Sequence, residues 1–229
     1  MASQVIRLAG VWYSYPGGRG WALRGATLEL PERGATVVVG PNGGGKTTLL
    51  KVAGLLYRPQ RGSVEAWGSN PWSSRGTLLE ARRRVVYVHE RPIMLRGSVL
   101  DNIAYGPRIR GASRGEAEAR ARRAAELVGV DHLLGASARQ LSTGQAQLVA
   151  LARALAVEPR VLLLDEPLAH LDFDTRRRVL GMLERLSRRI GVVVATHDLH
   201  AARRLAGRLV VVEDGSPRIA DPASVLSDA

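Results

Sequence analysis

Five short aliphatic runs limit what this chain can fold into: Thr36 to Val39, Val85 to Val88, Val161 to Leu164, Val192 to Ala195 and Leu209 to Val212. Each is apolar at successive positions rather than alternate ones, so a strand formed there must be covered on both faces. Helical stretches lie between the runs. Alternation of that kind predicts a parallel sheet with helices on its two sides, an α/β fold. The opening of the chain differs, with Val5 to Leu8, Trp12 to Tyr15 and Ala26 to Leu30 as short strand candidates around Pro16-Gly17-Gly18; they predict an antiparallel flap. From about residue 90 to 157 the strands cease and helix ends become legible. Ser113-x-x-Glu116 is a capping box opening a helix from Ala117 to Val128, which Gly129 closes. A second box, Ser142-x-x-Gln145, opens a helix whose Leu148, Leu151, Ala152 and Leu155 fall on one face, and which stops at Glu158-Pro159.

The 229 residues, 45% hydrophobic and 24% charged, suit one compact globular unit or a pair of closely apposed subdomains. With no cysteine, the chain has no disulfide framework, thiolate zinc site, iron–sulfur cluster or cysteine nucleophile. The formal net charge is +12, and Lys46 and Lys51 are the only lysines, so the remaining basic residues are arginines. Such an excess invites a nucleic-acid or membrane-surface reading. The densest groups, Arg82 to Arg84, Arg120 to Arg123 and Arg176 to Arg178, lie in helical stretches among Glu and Ala, where a solvated helix face is the plainer explanation. No run approaches the roughly 18 apolar residues that cross a bilayer, and the start at Met1 lacks the basic and apolar regions of a secretory signal. The expectation is a soluble intracellular protein whose membrane role, if any, comes through a partner.

Gly40-Pro41-Asn42-Gly43-Gly44-Gly45-Lys46-Thr47 fits the phosphate-loop pattern, with a strand entering it and a helix from Thr47 to Leu56 leaving it. Glycines let successive amides turn inward, and together with the helix N-terminus they prefer an anion. Lys46 is placed to reach β- and γ-phosphates, and the Thr47 hydroxyl to ligate Mg2+. The run ending in Asp165-Glu166 puts two acids at the carboxyl end of a buried strand, where parallel sheets bind ligands. One can hold Mg2+ and the next polarise water; capping the following helix is the alternative use. Leu141-Ser142-Thr143-Gly144-Gln145 makes another helix N-terminus with free amides, and read alone it is also a plain capping box.

That pentapeptide, lying between the phosphate loop and Asp165, resembles the LSGGQ signature of the ATP-binding cassette family, and the resemblance covers essentially the whole chain. It implies a P-loop NTPase (RecA-like) core with an N-terminal antiparallel β flap over 1–89 and 158–229, and an inserted helical signature subdomain over 90–157. It implies that Tyr15 stacks on adenine, with a half-buried strand tyrosine as the alternative, and that His197 steadies the catalytic water beside the γ-phosphate. ATP would be bound by Tyr15, by Gly40 to Thr48 and, from a second copy, by Ser142, Thr143, Gly144 and Gln145. Lys46, Glu166 and His197 would be catalytic, and Thr47, Asp165 and Glu90 would hold Mg2+. Leu171-Asp172 resembles the loop that couples two sites across a dimer. Three departures stand out: Glu90 where glutamine is usual, Gly44 where serine is common, and Ala146 and Leu148 in place of polar or basic residues after the signature.

The function implied is the ATPase subunit of a membrane transporter, a head-to-tail homodimer on the cytoplasmic side of the membrane, peripheral, docked on separate transmembrane permease subunits near residues 90–105. An extracytoplasmic solute-binding protein would complete it. Arg91 to Pro107 looks most like importers of inorganic oxyanions such as tungstate, molybdate or phosphate. The chain's end soon after Asp214-Gly215 leaves no room for a C-terminal regulatory domain. The alternatives are a cassette acting on nucleic acid or translation, which +12 alone would support, and one driving envelope remodelling. With one phosphate loop, one signature and no zinc-bearing insertion, no nucleic-acid partner is expected.

Overall fold

The computed structural model describes residues 4–18, 20–205 and 207–222. By its contacts the chain divides into two compact units, Met1–Tyr87 with Arg160–Glu166 and Leu183–Ala229, and Val88–Pro159 with Pro167–Met182. In chain order the elements are β1 (Gln4–Tyr13), β2 (Leu23–Pro31), β3 (Gly34–Val39), α1 (Lys46–Ala53), β4 (Arg61–Ala66), α2 (Arg75–Arg84) and β5 (Val85–Val88). Then follow α3 (Val99–Ile109), α4 (Arg114–Val128), α5 (Thr143–Leu155), β6 (Val161–Asp165), α6 (Phe173–Ser187), β7 (Gly191–Ala195), α7 (Leu199–Leu205), β8 (Arg208–Glu213) and β9 (Ser216–Ala220).

A six-stranded sheet runs β5-β6-β7-β3-β8-β9. Its pairs β6–β7, β7–β3 and β3–β8 are parallel, and β9 closes the edge antiparallel to β8. The five apolar runs of the sequence are five of these strands, and β6 and β7 are buried at every position. The sixth, β9, has no such signature because it is an edge strand, largely exposed and carrying Pro217. It pairs through a two-residue Asp214-Gly215 turn in which both residues have positive φ, 48° and 79°, as a tight hairpin demands.

The flap is a second sheet, ordered β2-β1-β4 and antiparallel throughout. Here the structure redraws the expected strands. Val5 to Leu8 and Trp12 to Tyr13 form one continuous strand, whose pairing with β2 shifts between Leu8 and Val11, where Gly10 has a φ of 58°. The extra residue is absorbed in a bulge, so the alternation breaks while the strand continues. Tyr15 lies beyond its end. The third strand, β4, escapes sequence reading because only Val64 and Ala66 of its six residues are buried. Helix α1 touches both sheets, meeting β1 on one side and β6 and β7 on the other. Its Leu49, Leu50, Val52 and Ala53 join Ile6, Leu8, Leu28, Leu163 and Val193 in one core cluster.

In the second unit α3, α4 and α5 pack mutually. Ala117, Ala121, Ala124 and Ala125 of α4 are buried, small side chains that let neighbouring helices approach closely. Both boxes named from the sequence are formed, Ser113 with Glu116 and Ser142 with Gln145, and Gly129 ends α4 with a φ of 82°. A third joins Ser98 to Asp101 at the start of α3. The segment 167–182 belongs to this unit by its contacts: the His170 carbonyl lies against Gly144, where a Cβ would come within 2.6 Å of it.

The Ser98 hydroxyl and amide both donate to Asp101, and these bonds hold its carboxyl below the usual aspartate range. A carboxyl with a depressed folded-state pKa stabilises above its ordinary pKa, about 4, and loses that contribution as the pH falls. Asp101→Asn is therefore expected to lower stability at pH 7 by up to about 1 kcal/mol. In urea melts the difference from the parent should shrink steadily as the pH is lowered below about 4, and a difference that stays the same across that range would refute the charge-based account.

Candidate functional site

The site grows from the carboxyl ends of β3, β6 and β7, adjacent parallel strands on which Val38 and Asp165 both sit level with Ala195. Between β3 and α1 the chain turns through residues 40–45. Gly40, with a φ of 147°, lies so close to β8 that a Cβ would collide with the Val212 carbonyl oxygen. Gly45, with a φ of 109°, is the N-cap of α1, and a Cβ there would come within 2.7 Å of the Ala22 carbonyl. The departure at Gly44 has a local reason of the same kind, since a Cβ would meet the carbonyl oxygens of Val212 at 2.8 Å and Pro41 at 3.0 Å. No side chain caps α1 and no acid occupies its first turn, so its N-terminal amides and dipole are left to attract an anion.

Lys46, 8% exposed, folds back into the loop, its Nζ donating to the carbonyls of Gly40 at 2.8 Å and Pro41 at 3.1 Å. Thr47 is half-buried at the helix start. The buried Thr48 hydroxyl lies 3.0 Å from the Tyr15 hydroxyl. Tyr15 is 38% exposed, with its ring roughly perpendicular to those of Tyr13 and Tyr57 at centroid distances of 5.4 and 5.7 Å. The aromatic group thus anchors Tyr15 beside the phosphate loop while leaving much of it open. Asn42 and Gly43 are exposed on the loop's outer turn.

Asp165, 3% exposed, ends β6 and accepts a hydrogen bond at 2.8 Å from the Tyr87 hydroxyl on β5. Burial, then the charge and hydrogen bond of Asp165, push the Tyr87 phenol well above its ordinary range, so it stays a donor at neutral pH. Glu166 follows in a left-handed conformation, φ 45°, with its amide donating to the Ala195 carbonyl at 2.9 Å. Its carboxylate is held against the end of β7. Oε1 accepts from the His197 amide at 3.1 Å and lies 2.9 Å from the His197 Nδ1, while Oε2 accepts from the Thr196 hydroxyl at 3.2 Å. The His197 side chain is 68% exposed and that of Glu166 only 13%, so the acid is fixed in place and the imidazole open to solvent.

The remaining candidates lie in the second unit. Ser142 and Thr143 are exposed at the start of α5, Gly144 and Gln145 half-exposed, with Gln145 accepting from the Ser142 amide at 2.9 Å. Leu148 is buried, which accounts for an apolar residue at that position. Glu90 is half-buried just past β5. Reading the sequence did not single out Tyr87 or Thr196. Thr196 directly precedes His197 in the sequence, and a lone phenol in the otherwise aliphatic β5 was the one available signal for Tyr87.

Among the described residues no three His, Asp or Glu side chains converge as a metal cluster. One buried carboxylate and one hydroxyl, Asp165 and Thr47, instead suit a Mg2+ ion that keeps water and takes its other oxygens from nucleotide phosphates. A nest of amides and the acid pair at neighbouring strand ends of one parallel sheet define a P-loop nucleoside triphosphatase. The family pattern described as ABC transporter matches residues 23–169, and the chain belongs to that family. It is 38% identical over its whole length, and 84% of the relative's, to the phosphate import ATP-binding protein PstB 2 of Natronomonas pharaonis. To the methionine import ATP-binding protein MetN 1 of Burkholderia orbicola it is 35% identical over 92% of this chain, spanning 63% of that protein's length. Among solved structures, the dimeric ATP-binding cassette MJ0796 bound to ADP and Pi superposes with a TM-score of 0.85 and 30% identity, covering 95% of this chain and 98% of the other. CbiO1 of Clostridium perfringens, part of a cbiONQ transporter complex, also gives 0.85 at 26% identity, covering 98% and 91%. The chain is accordingly an ATP-binding, ATP-hydrolysing cassette of this family.

Proposed function

We propose that this cassette powers solute import, of an inorganic oxyanion with phosphate foremost, through separate permease subunits. The observation that carries the reading is the likeness to the phosphate importer's ATPase over the full length of the chain. The protein then works as a peripheral subunit on the cytoplasmic face of the membrane; among the described residues no helix is long and apolar enough to cross it. ATP sits on the phosphate loop of one copy under Ser142 to Gln145 of a second, head to tail. The solute reaches the permease from an extracytoplasmic binding protein.

Within the site, Tyr15 stacks on adenine and the amides of residues 40–48 cradle the phosphates. Lys46 exchanges its two carbonyl partners for β- and γ-phosphate oxygens, stabilising charge as it moves to the departing group. Thr47, Asp165 and Glu90 would hold Mg2+, which would supply positive charge beside the phosphates. Glu166 takes the proton of the attacking water, and His197, already seated on Oε1, orients both. Positioning and electrostatics supply the catalysis, with no covalent intermediate. The test is co-expression with the permease of the neighbouring genes, reconstitution in vesicles, and ATP hydrolysis measured with the binding protein and phosphate, molybdate or tungstate. Stimulation by one of these is expected. Absence of stimulation by any anion would remove the oxyanion assignment, and a chain that stays monomeric in saturating ATP-Mg2+ would remove the dimer.

A further inference from the structure

The phenol of Tyr87 reaches the strand-end acid from a different strand. Its ring belongs to the wall of the first unit's core, partly buried against the main cluster. Gly54, at the end of α1, brings that helix so close that a Cβ on it would lie 3.5 Å from the Tyr87 Cβ and 3.2 Å from the Leu163 Cδ1. Packing therefore fixes where the hydroxyl stands. Among the described residues no other side chain hydrogen-bonds Asp165, a residue 3% exposed. A carboxylate's terminal torsion is broad and roughly two-fold, so without a partner this group has no fixed plane. A phenol donating to a carboxylate makes a charge-assisted bond, stronger than a neutral one and directional.

We propose that Tyr87 is a positioning residue for the cation: its hydroxyl occupies Oδ2 of Asp165, sets the carboxylate plane and leaves Oδ1 for Mg2+. The proposal rests on the reading of Asp165 as a Mg2+ ligand. Groups that orient a ligand in this way are commonly worth 10- to 100-fold in metal affinity. Tyr87 is thus expected to govern the metal requirement of the site without touching nucleotide or metal itself.

The experiment compares the full-length chain with its Tyr87→Phe, Asp165→Asn and doubly substituted forms. Mn2+ binding in the presence of a non-hydrolysable ATP analogue is read from the free-ion paramagnetic resonance signal, and analogue binding in EDTA by calorimetry. Tyr87→Phe is expected to weaken Mn2+ binding about tenfold or more. Its analogue affinity in EDTA should stay within about twofold, because the phosphate loop is untouched. In the Asp165→Asn background the same change should have no further effect, since the two groups act as one unit. The phenylalanine keeps the ring packing, so a merely structural role would show as a lowered melting temperature with an unaltered metal requirement. That result, or a loss of equal size in the Asp165→Asn background, would overturn the proposal. A parent protein whose Mn2+ binding survives Asp165→Asn undiminished would instead overturn the metal role of Asp165 beneath it.

Discussion

Glu166→Gln is expected to slow ATP hydrolysis by about 10²- to 10⁴-fold while leaving ATP bound, because an amide accepts no proton from the attacking water. The fold should tolerate the change. Glutamine is the same shape, and its oxygen can take the place of Oε1 against the His197 amide. Its NH2 then faces the Thr196 hydroxyl, which accepts as readily as it donates. With binding intact and hydrolysis blocked, the head-to-tail pair should accumulate with ATP. Steady-state phosphate release and size-exclusion chromatography in ATP-Mg2+ read the two consequences separately. A variant that keeps near-parental turnover would exclude Glu166 as the base, and one that binds ATP yet elutes as a monomer would exclude the shared site.

The second large effect is structural in origin. Gly40→Ala should cost about 3 kcal/mol or more, from a strained backbone and a direct collision with the Val212 carbonyl, and should weaken ATP binding by two orders of magnitude or more as the loop is displaced. Gly43→Ala supplies the control. Its φ is 79°, but a Cβ there meets nothing within 4 Å, so only the left-handed backbone is penalised, at about 1–2 kcal/mol. Urea unfolding in the absence of nucleotide distinguishes the cases. Equal losses for the two variants would show that contact with β8 contributes nothing.

Elements whose causes are local were legible. The phosphate loop, the acid pair and the signature helix are short runs in which residue type and spacing dictate backbone geometry, and the five largely buried strands announce themselves by continuous apolar residues. In the arginine clusters Arg82, Arg83, Arg122, Arg123, Arg177 and Arg178 are exposed on helices, whereas Arg84, Arg120 and Arg176 are half-buried. What escaped depends on distant neighbours. β4 and β9 exist because an adjacent strand offers hydrogen bonds, not because their own side chains need burial. The bulge that fuses two expected strands into β1 is visible only in its pairing with β2. Tyr87 earns its importance from Asp165 on the next strand. Residues 167–182 follow the acid pair directly in sequence, yet group by contacts with the helical unit, as the approach of His170 to Gly144 shows.

The turn between β8 and β9 reaches back to the phosphate loop: the Gly215 amide donates to the Gly44 carbonyl at 2.9 Å, and the Gly215 carbonyl accepts from the Arg24 amide at 2.9 Å. A clasp formed by residues so far downstream has a meaning for the order of biosynthesis. While the chain emerges from the ribosome, the glycine loop is made early but stays without its outer support until the β8–β9 hairpin has cleared the exit tunnel. Nucleotide capture is therefore expected to wait for this hairpin, and a chain cut before residue 208 is expected to bind ATP more weakly than the full chain.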